Sequence, residues 1–343
     1  MLKRVATSVA RSRHFAWFVG LLERLDREDP NLLRVLTYHR VEWSDAKPPP
    51  YPRATIPPDA FAEQMQYVSE HYHVVSVEEL IPAVNARECL PRRSVLLTFD
   101  DGYQDFRGQA WPVLRALKLP VALFVPTAFP GEPGRLFWWD RLHHALMNTT
   151  RPDALETSVA RLPLRSRRER ENAYTRLRAH VKQMPHAEAL AWVAATCHEL
   201  AVPPSPPAIL SWDELRGLAS EGVTVGSHTR THPLLTRVSI EEVRTEVAGS
   251  LRDLKRELGV VLPILAYPGG AFDNRVVQIL AGEGYVLAFT TVRGVNDLKR
   301  AHPLKLRRIH VGRRTSLALL RAQLTGRSVG LNRFYPLTAP EPA

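Results

Sequence analysis

Short apolar segments recur along the chain from about residue 32, and most are followed by a segment with apolar residues at helical spacing. The apolar residues are consecutive rather than alternating with polar ones, which is typical of parallel strands covered by helices. Seven strands are predicted: LLRVLTYH (32–39), SVLLTFD (94–100), VALFV (121–125), VTVGSH (223–228), ILAYP (264–268), YVLAFTT (285–291) and RIHV (308–311). The pattern therefore indicates an α/β fold, either a barrel or a doubly wound sheet.

The alternation of strands and helices is interrupted between about residues 127 and 210. No strand pattern is visible in this part, which includes an arginine-rich run at 161–182, so we expect a helical insertion rather than a separate domain. We predict three parts: a basic amphipathic N-terminal segment (1–30), a barrel domain that carries the insertion (31–315), and a C-terminal helix and tail (316–343).

The chain is strongly basic, with a net charge of +11 and a sequence pI of about 10.0. Nucleic acid is not an expected partner, because the basic run has no recognition motif and no interleaved aromatic residues. A solvated helix face explains such a run in most proteins. The alternatives are contact with an anionic membrane surface or with an acidic glycan.

The N-terminal segment has a basic start and an apolar core, FAWFVGLL (15–22). This core is shorter than the roughly 20 residues that span a bilayer, and no small-residue cleavage site follows it. It is either an amphipathic segment lying on a membrane or a first helix packed on the domain. We expect a protein that is cytoplasmic or peripheral to the inner membrane, with export left open.

Polar side chains stand at the carboxyl ends of several predicted strands. His39 ends the first strand, Asp100 and Asp101 end the second, and His228 ends VTVGSH. Active sites of α/β barrels are built from these strand ends, so we expect the side chains to share one rim. Because adjacent carboxylates repel each other and resist burial, a positive group should lie beside them.

The segment SHTRTHPLL (227–235) has the composition of a metal site. His228 and His232 are four residues apart, so one helical turn after the strand would direct both imidazoles to one point. Two imidazoles and one carboxylate form a three-ligand site with positions open for water and substrate. Asp101 can be the third ligand, which leaves Asp100 to accept a proton. A divalent metal is therefore the expected cofactor, with zinc as the expected ion.

Three segments, TFDDG (98–102), HTRTH (228–232) and AYPGG (266–270), resemble successive motifs of the polysaccharide deacetylase family. These are metal-dependent carbohydrate esterases on a distorted (β/α)7-type barrel. The resemblance covers about residues 32–315 and implies hydrolysis of N-acetyl groups on the amino sugars of a polysaccharide or lipid-linked glycan.

The resemblance also implies roles for individual residues. Asp100 corresponds to the general base, and Asp101, His228 and His232 to the metal ligands. The backbone N–H of Gly269 corresponds to the donor that stabilises the oxyanion of the tetrahedral intermediate.

The sequence departs from the family pattern in two places. Ala266 stands where the family has an arginine that steadies the catalytic aspartate, and Arg308 is a candidate substitute. The histidine that acts as general acid is displaced: His310 in LKLRRIHV (304–311) does not fit the pattern. His39 is the rival, and we prefer it because it ends the first strand.

Other residues are candidates for the sugar-binding surface. Each also has a structural explanation as a turn, cap or core residue. They are Tyr103 and Asp105 after the carboxylates, Trp138, Trp139 and Asp140 in the insertion, and Thr291 or Asn296 after the sixth strand.

Two other functions remain compatible with the sequence. The same metal site could hydrolyse another ester or a non-peptide amide, since the motifs do not define the acyl substrate. Alternatively, Ala266 could mark a catalytically decayed glycan-binding protein. In the main hypothesis the partner is an N-acetylated glycan, and the insertion and basic surface bind it near an anionic membrane.

Overall fold

The computed structural model of the chain describes residues 19–21, 23, 31–42, 54–86, 89–132, 134–150, 153–202 and 208–325. Most of the N-terminal segment (1–30) and the tail after residue 325 lie outside these residues, so the predictions made for them stay predictions. Within the described part of the chain, no helix is both long and apolar enough to cross a membrane.

Seven parallel strands form a closed barrel, which decides between the two architectures that the pattern allowed. They are β1 Leu32–Tyr38, β2 Ser94–Phe99, β3 Ala122–Val125, β4 Thr224–Ser227, β5 Ile264–Ala266, β6 Leu287–Arg293 and β7 Leu306–His310. Each strand pairs with the next in chain order, and β7 pairs with β1 to close the barrel. All seven were predicted from runs of apolar residues.

Helices cover the barrel and build the insertion. They are α1 Pro58–His71, α2 Val77–Ala86, α3 Trp111–Ala116, α4 Trp138–Asn148, α5 Arg167–Val181, α6 His186–Glu199, α7 Trp212–Ser220, α8 Ile240–Leu258, α9 Asn274–Gly282 and α10 Leu317–Leu324. Two short strands pair with the amino ends of barrel strands: His73–Val74 is parallel to β2, and Asn296–Asp297 is antiparallel to β1. Arg40–Val41 and Thr55–Ile56 form a separate pair.

The barrel strands are buried on both faces. Phe124 on β3 and Phe289 on β6 have ring centroids 5.3 Å apart. Because β3 and β6 are not neighbours in the sheet, the two rings meet inside the barrel. On the outer face Leu97 belongs to a cluster with Phe61 and Met65 of α1. Burial on both faces explains why the strands read as apolar runs.

The insertion has a hydrophobic core of its own, formed mainly by α4, α5 and α6. It also contains a hairpin of two three-residue strands, Ala154–Glu156 and Arg161–Pro163, which the sequence did not predict. Leu155 and Leu162 face each other in this hairpin and are both buried. One buried leucine in each strand is too little to give a strand pattern, so the predicted helical insertion contains a short hairpin in addition to its helices.

Gly226 on β4 offers a test of the packing inside the barrel. A Cβ added there would lie 2.8 Å from the Phe124 ring and 2.9 Å from Ile264. We expect Gly226→Val to lower the free energy of unfolding by about 1–3 kcal/mol, because overpacking forces neighbours to move. Urea denaturation measures this. In the control Gly217→Ala, nothing lies within 4 Å of the added methyl group on α7. That change should raise stability by up to about 1 kcal/mol, and equal effects of the two variants would contradict this packing.

Candidate active site

Two adjacent carboxylates lie at the carboxyl end of β2. The side chains of Asp100 and Asp101 are both buried, with 2% and 6% of each residue exposed. The Asp100 backbone N–H still donates to the carbonyl of Tyr38 at 3.0 Å, so the strand pairing continues to this residue. The chain then turns at Asp101, which has φ 75°, and Gly102, which has φ 68°. The turn brings two charged groups to the mouth of the barrel.

Arg308 on β7 supplies the positive charge that this pair of carboxylates requires. Its two terminal nitrogens donate to the two oxygens of Asp100, each at 2.8 Å, and its Nε donates to the carbonyl of Thr290. Burial alone would raise the pKa of Asp100, but the charges of Arg308 and His228 hold it well below its usual range. Arg308 thus occupies the position predicted for a substitute of the arginine that is missing at Ala266.

Asp101, His228 and His232 form one cluster, which we call the ligand cluster. Their ligand atoms all lie within 4.8 Å of one another. The Nε2 atoms of both histidines are 3.5 Å from Oδ1 of Asp101. The prediction that the three side chains meet at one point on the rim therefore agrees with the geometry.

The orientation of His228 and the neutral imidazole of His232 suit a divalent cation. Nδ1 of His228 donates to the carbonyl of Ala266 at 2.7 Å, which directs Nε2 towards Asp101. Metal-binding histidines are commonly oriented by such a bond. Burial and the neighbouring His228 lower the pKa of His232 to about 3, so its imidazole is neutral. Two imidazoles and a carboxylate are a donor set that holds a metal ion with positions left open.

The segment between the two histidines, the histidine loop (228–232), is not the helical turn that their spacing predicted. Thr229 and His232 have φ angles of 64° and 63°, in the left-handed region. Side chains replace the backbone bonds of a helix: Thr229 N–H donates to Ser227 Oγ, and His232 N–H donates to Thr229 Oγ1, each at 3.1 Å. The imidazoles meet because the loop folds back on itself.

The two candidates for the general acid lie on the Asp100 side of the rim. Nε2 of His39 is 3.9 Å from Oδ2 of Asp100, and 21% of the His39 side chain is exposed. The ring of His310 lies behind it, with centroids 6.3 Å apart. Burial and the charge of Arg308 lower the pKa of His310 to about 3. Its Nε2 is buried and has no hydrogen-bond partner among the described residues.

Gly269 lies in a tight turn that follows β5. The turn spans Pro268–Gly270, and Gly269 is exposed with φ 56°. A Cβ on the next residue, Gly270, would collide with the side chain of Thr291. Thr291 therefore packs on this turn, at the rim where it was expected. The role of the Gly269 N–H stays a prediction.

Comparisons with known proteins agree with this geometry. The sequence model of the family described as polysaccharide deacetylase matches residues 87–288, more than half of the chain. The chain belongs to the polysaccharide deacetylase family. Members of this family are metal-dependent deacetylases, in keeping with the donor set of the ligand cluster.

One named relative matches a short part of the chain. A segment of 63 residues, 18% of this chain, is 38% identical to the poly-β-1,6-N-acetyl-D-glucosamine N-deacetylase of Escherichia coli K12. The matched segment spans only 9% of that protein's length.

Two solved structures share the fold at 21% identity and a TM-score of 0.57. They are the Streptococcus pyogenes deacetylase PplD, with 85% of this chain and 98% of that one covered, and IcaB from Ammonifex degensii, with 86% and 97% covered. The (β/α)7 barrel of polysaccharide deacetylases is therefore confirmed.

In this polysaccharide deacetylase the insertion borders the ligand cluster. The rings of Phe137 and Trp139 lie 5.3 and 5.2 Å from the imidazole of His232, and they stack on each other at 4.4 Å. Trp138 instead packs on the core of the insertion. Sequence reasoning had not singled out Phe137, although it directly precedes the two tryptophans.

Tyr103, Asp105 and Asp140 serve as anchors in this structure. The Tyr103 hydroxyl donates to Asp140 at 2.8 Å and accepts from Trp139 Nε1 at 3.0 Å. Asp105 accepts from Arg40 Nε at 2.7 Å and from the backbone N–H that follows Arg40. Burial raises the pKa of Asp140 to about 7. These contacts fit the roles of turn and core residues, which were the expected alternative, better than a role in sugar binding.

Asn296 does not reach the rim, so this part of the prediction was wrong. Its side chain bonds the carbonyls of Leu33 and Arg307, near the amino ends of β1 and β7. The chain reverses after Arg293 through Gly294, with φ 153°, and returns as a short strand antiparallel to β1. A reversal of this kind leaves no apolar pattern, so sequence reasoning placed Asn296 at the wrong end of the barrel.

We expect Arg308→Gln to destabilise the protein by about 3–5 kcal/mol, because it leaves the buried Asp100 carboxylate without its partner. The change should be measured by urea denaturation in the presence of a chelator, so that metal binding does not contribute. Arg307→Gln is the matched control, since Arg307 is the exposed neighbour on the same strand. If the two variants were equally stable, Arg308 would not be the residue that compensates Asp100.

Proposed function

We propose that this protein is a metal-dependent hydrolase that removes N-acetyl groups from the amino sugars of a polysaccharide or lipid-linked glycan. The observation that carries the proposal is the ligand cluster, with Asp101 3.5 Å from both imidazoles, directly beside the buried carboxylate of Asp100. Membership of the family and the name of the E. coli relative support the choice of an N-acetylated glycan.

We propose that Asp101, His228 and His232 hold the ion and that it is zinc. Two imidazole nitrogens and one carboxylate oxygen are a donor set that zinc hydrolases use. A divalent ion held there would polarise the acetyl carbonyl and acidify a water molecule.

Asp100 is the proposed general base. Arg308 keeps its carboxylate ionised and fixes both oxygens, so the proton acceptor has one orientation. A carboxylate with a lowered pKa is a weak base, and it therefore requires an acidified water as its proton donor. The N–H of Gly269, on the turn after β5, is the proposed donor to the oxyanion.

His39 is the proposed general acid. The water oxygen bonds to the acetyl carbon, the C–N bond breaks, and the departing amine takes a proton from His39 while acetate forms the other product. The side chain of His39 is partly exposed beside Asp100, whereas Nε2 of His310 is buried and the imidazole of His310 is kept neutral by its lowered pKa. A group that protonates a leaving amine must reach the substrate, and this favours His39.

The sugar would be bordered by the insertion. Trp139 is partly exposed, stacks on the buried ring of Phe137 and lies against His232, so it offers an apolar wall beside the ligand cluster. Aromatic faces of this kind suit the apolar face of a sugar ring. Association with an anionic membrane also belongs to the proposal, and it rests on residues 1–30, most of which lie outside the described residues.

Asp100→Asn tests the reaction. We expect it to slow deacetylation by about 10²- to 10⁴-fold, since the proton acceptor is lost. Mass spectrometry of N-acetylated oligosaccharides should show a loss of about 42 Da per acetyl group hydrolysed at the metal site with wild type, and almost none with the variant. Asp59→Asn, an exposed change on α1, is the control and should keep full activity. Equal turnover by wild type and Asp100→Asn would reject this role for Asp100.

A second experiment distinguishes His39 from His310 as the general acid. His39→Gln should lower the hydrolysis of an N-acetyl sugar by about 10²-fold or more, because the amine must be protonated as it leaves. The same variant should still hydrolyse an aryl acetate, whose phenolate leaves without a proton. Initial rates on both substrates measure this selectivity. If His310→Gln showed the selective loss and His39→Gln did not, His310 would be the acid.

A further inference from the structure

Helix α8 carries a buried polar face that the proposed reaction does not explain. Glu246, Ser250 and Asp253 have 9%, 0% and 7% of their surface exposed. Their spacing of four and seven residues places them on one side of the helix. Charged side chains are rarely buried without a specific partner. Each of the three has a hydrogen-bond partner in or next to the histidine loop.

Glu246 makes the most direct contacts with the histidine loop. Its Oε2 accepts hydrogen bonds from the backbone N–H groups of Arg230 and Thr231, each at 2.8 Å. Its Oε1 accepts from the Thr231 hydroxyl at 2.6 Å. One carboxylate thus binds three donors in the stretch between His228 and His232.

Ser250 and Asp253, the other two residues of the polar face, contact Ser227 next to the loop and Arg230 within it. Ser250 bonds Ser227 at 2.6 Å, and Ser227 accepts the N–H of Thr229. Oδ2 of Asp253 accepts from Arg230 Nε at 3.0 Å. Asp253 also accepts from Thr127 at the end of β3. The helix therefore binds the loop from Ser227 to Thr231.

The conformation of the loop requires such support. Thr229 and His232 both have positive φ angles. In residues other than glycine, each strained backbone conformation of this kind costs about 1–3 kcal/mol. Such strain persists only where surrounding contacts determine it. Thr229 directly follows the proposed ligand His228, and His232 is itself a proposed ligand. Relaxation of this loop would therefore separate the two imidazoles.

We propose that Glu246 is a positioning residue that holds the histidine loop in the strained conformation in which both imidazoles face Asp101. This inference rests on the proposed metal site. The apolar residues of α8, among them Val243, Val247 and Leu254, pack into the core independently of Glu246. Loss of the carboxylate is therefore expected to loosen the loop rather than to unfold the barrel.

The experiment measures metal affinity in the full chain. Glu246→Gln replaces one acceptor oxygen by an amide that cannot accept the same hydrogen bonds. We expect its affinity for Zn²⁺, measured by competition with a chelating dye, to fall about 10- to 100-fold, as when other partners of metal ligands are removed. The visible absorption of bound Co²⁺ should also change. Glu241→Gln, an exposed change on the same helix, should leave both readouts at the wild-type value.

A second pair of variants covers the case in which Glu246→Gln does not fold. Thr231→Val removes one donor to Glu246, whereas Thr231→Ser keeps the hydroxyl. Affinity for Zn²⁺ should fall several-fold in Thr231→Val and recover in Thr231→Ser. Folded variants with wild-type Zn²⁺ affinity and Co²⁺ absorption would overturn the role of Glu246 while leaving the metal site intact. A wild-type chain that binds no Zn²⁺ would instead overturn the metal site itself.

Discussion

The ion pair between Arg308 and Asp100 is the interaction on which the site depends. An ionised carboxylate removed from water costs several kcal/mol unless it is paired and hydrogen-bonded, and here two carboxylates are adjacent. Arg308 stands on β7 and Asp100 follows β2, with β1 between them in the closed barrel. Closure of the sheet is therefore what brings the guanidinium to the carboxylate. The barrel and its charged rim are mutually dependent.

With Asp100 compensated by arginine, Asp101 remains to be compensated by something else. Its partners are the two imidazoles at 3.5 Å, which differ in protonation: burial lowers the pKa of His232 to about 3, whereas the carboxylates of Asp101 and Asp100 outweigh burial and raise the pKa of His228. The two carboxylates thus have different environments although they are neighbours in sequence. One is held ionised by a permanent cation, and the other faces two imidazole nitrogens, which is the division that a base and a metal ligand require.

The barrel strands, Asp100 and the ligand cluster could be predicted from the sequence for two physical reasons. Strands buried on both faces are apolar throughout, and functional side chains in such barrels stand at the carboxyl ends. The histidine loop could not be predicted, because its left-handed residues are stabilised by side chains of α8 that are distant in sequence. Glu246 did leave a signal, a charged residue between Val243 and Val247 on an apolar helix face, but its partner is visible only in three dimensions. The position of Asn296 and the hairpin of the insertion could not be predicted, because neither segment has a periodic pattern of apolar residues.

The insertion is part of the site's framework although it has its own core. Tyr103 follows the proposed ligand Asp101 by two residues and bonds both Asp140 and Trp139 of the insertion. The guanidinium of Arg40, next to His39, lies 4.6 Å from the centroid of the Tyr103 ring. Tyr103 therefore connects three parts of the site: the turn at the proposed ligand Asp101, the strand end at the proposed acid His39, and Trp139 of the insertion. A shift of the insertion would be transmitted to Asp101 through this residue, so the insertion constrains the position of Asp101 in the proposed metal site as well as the space beside it.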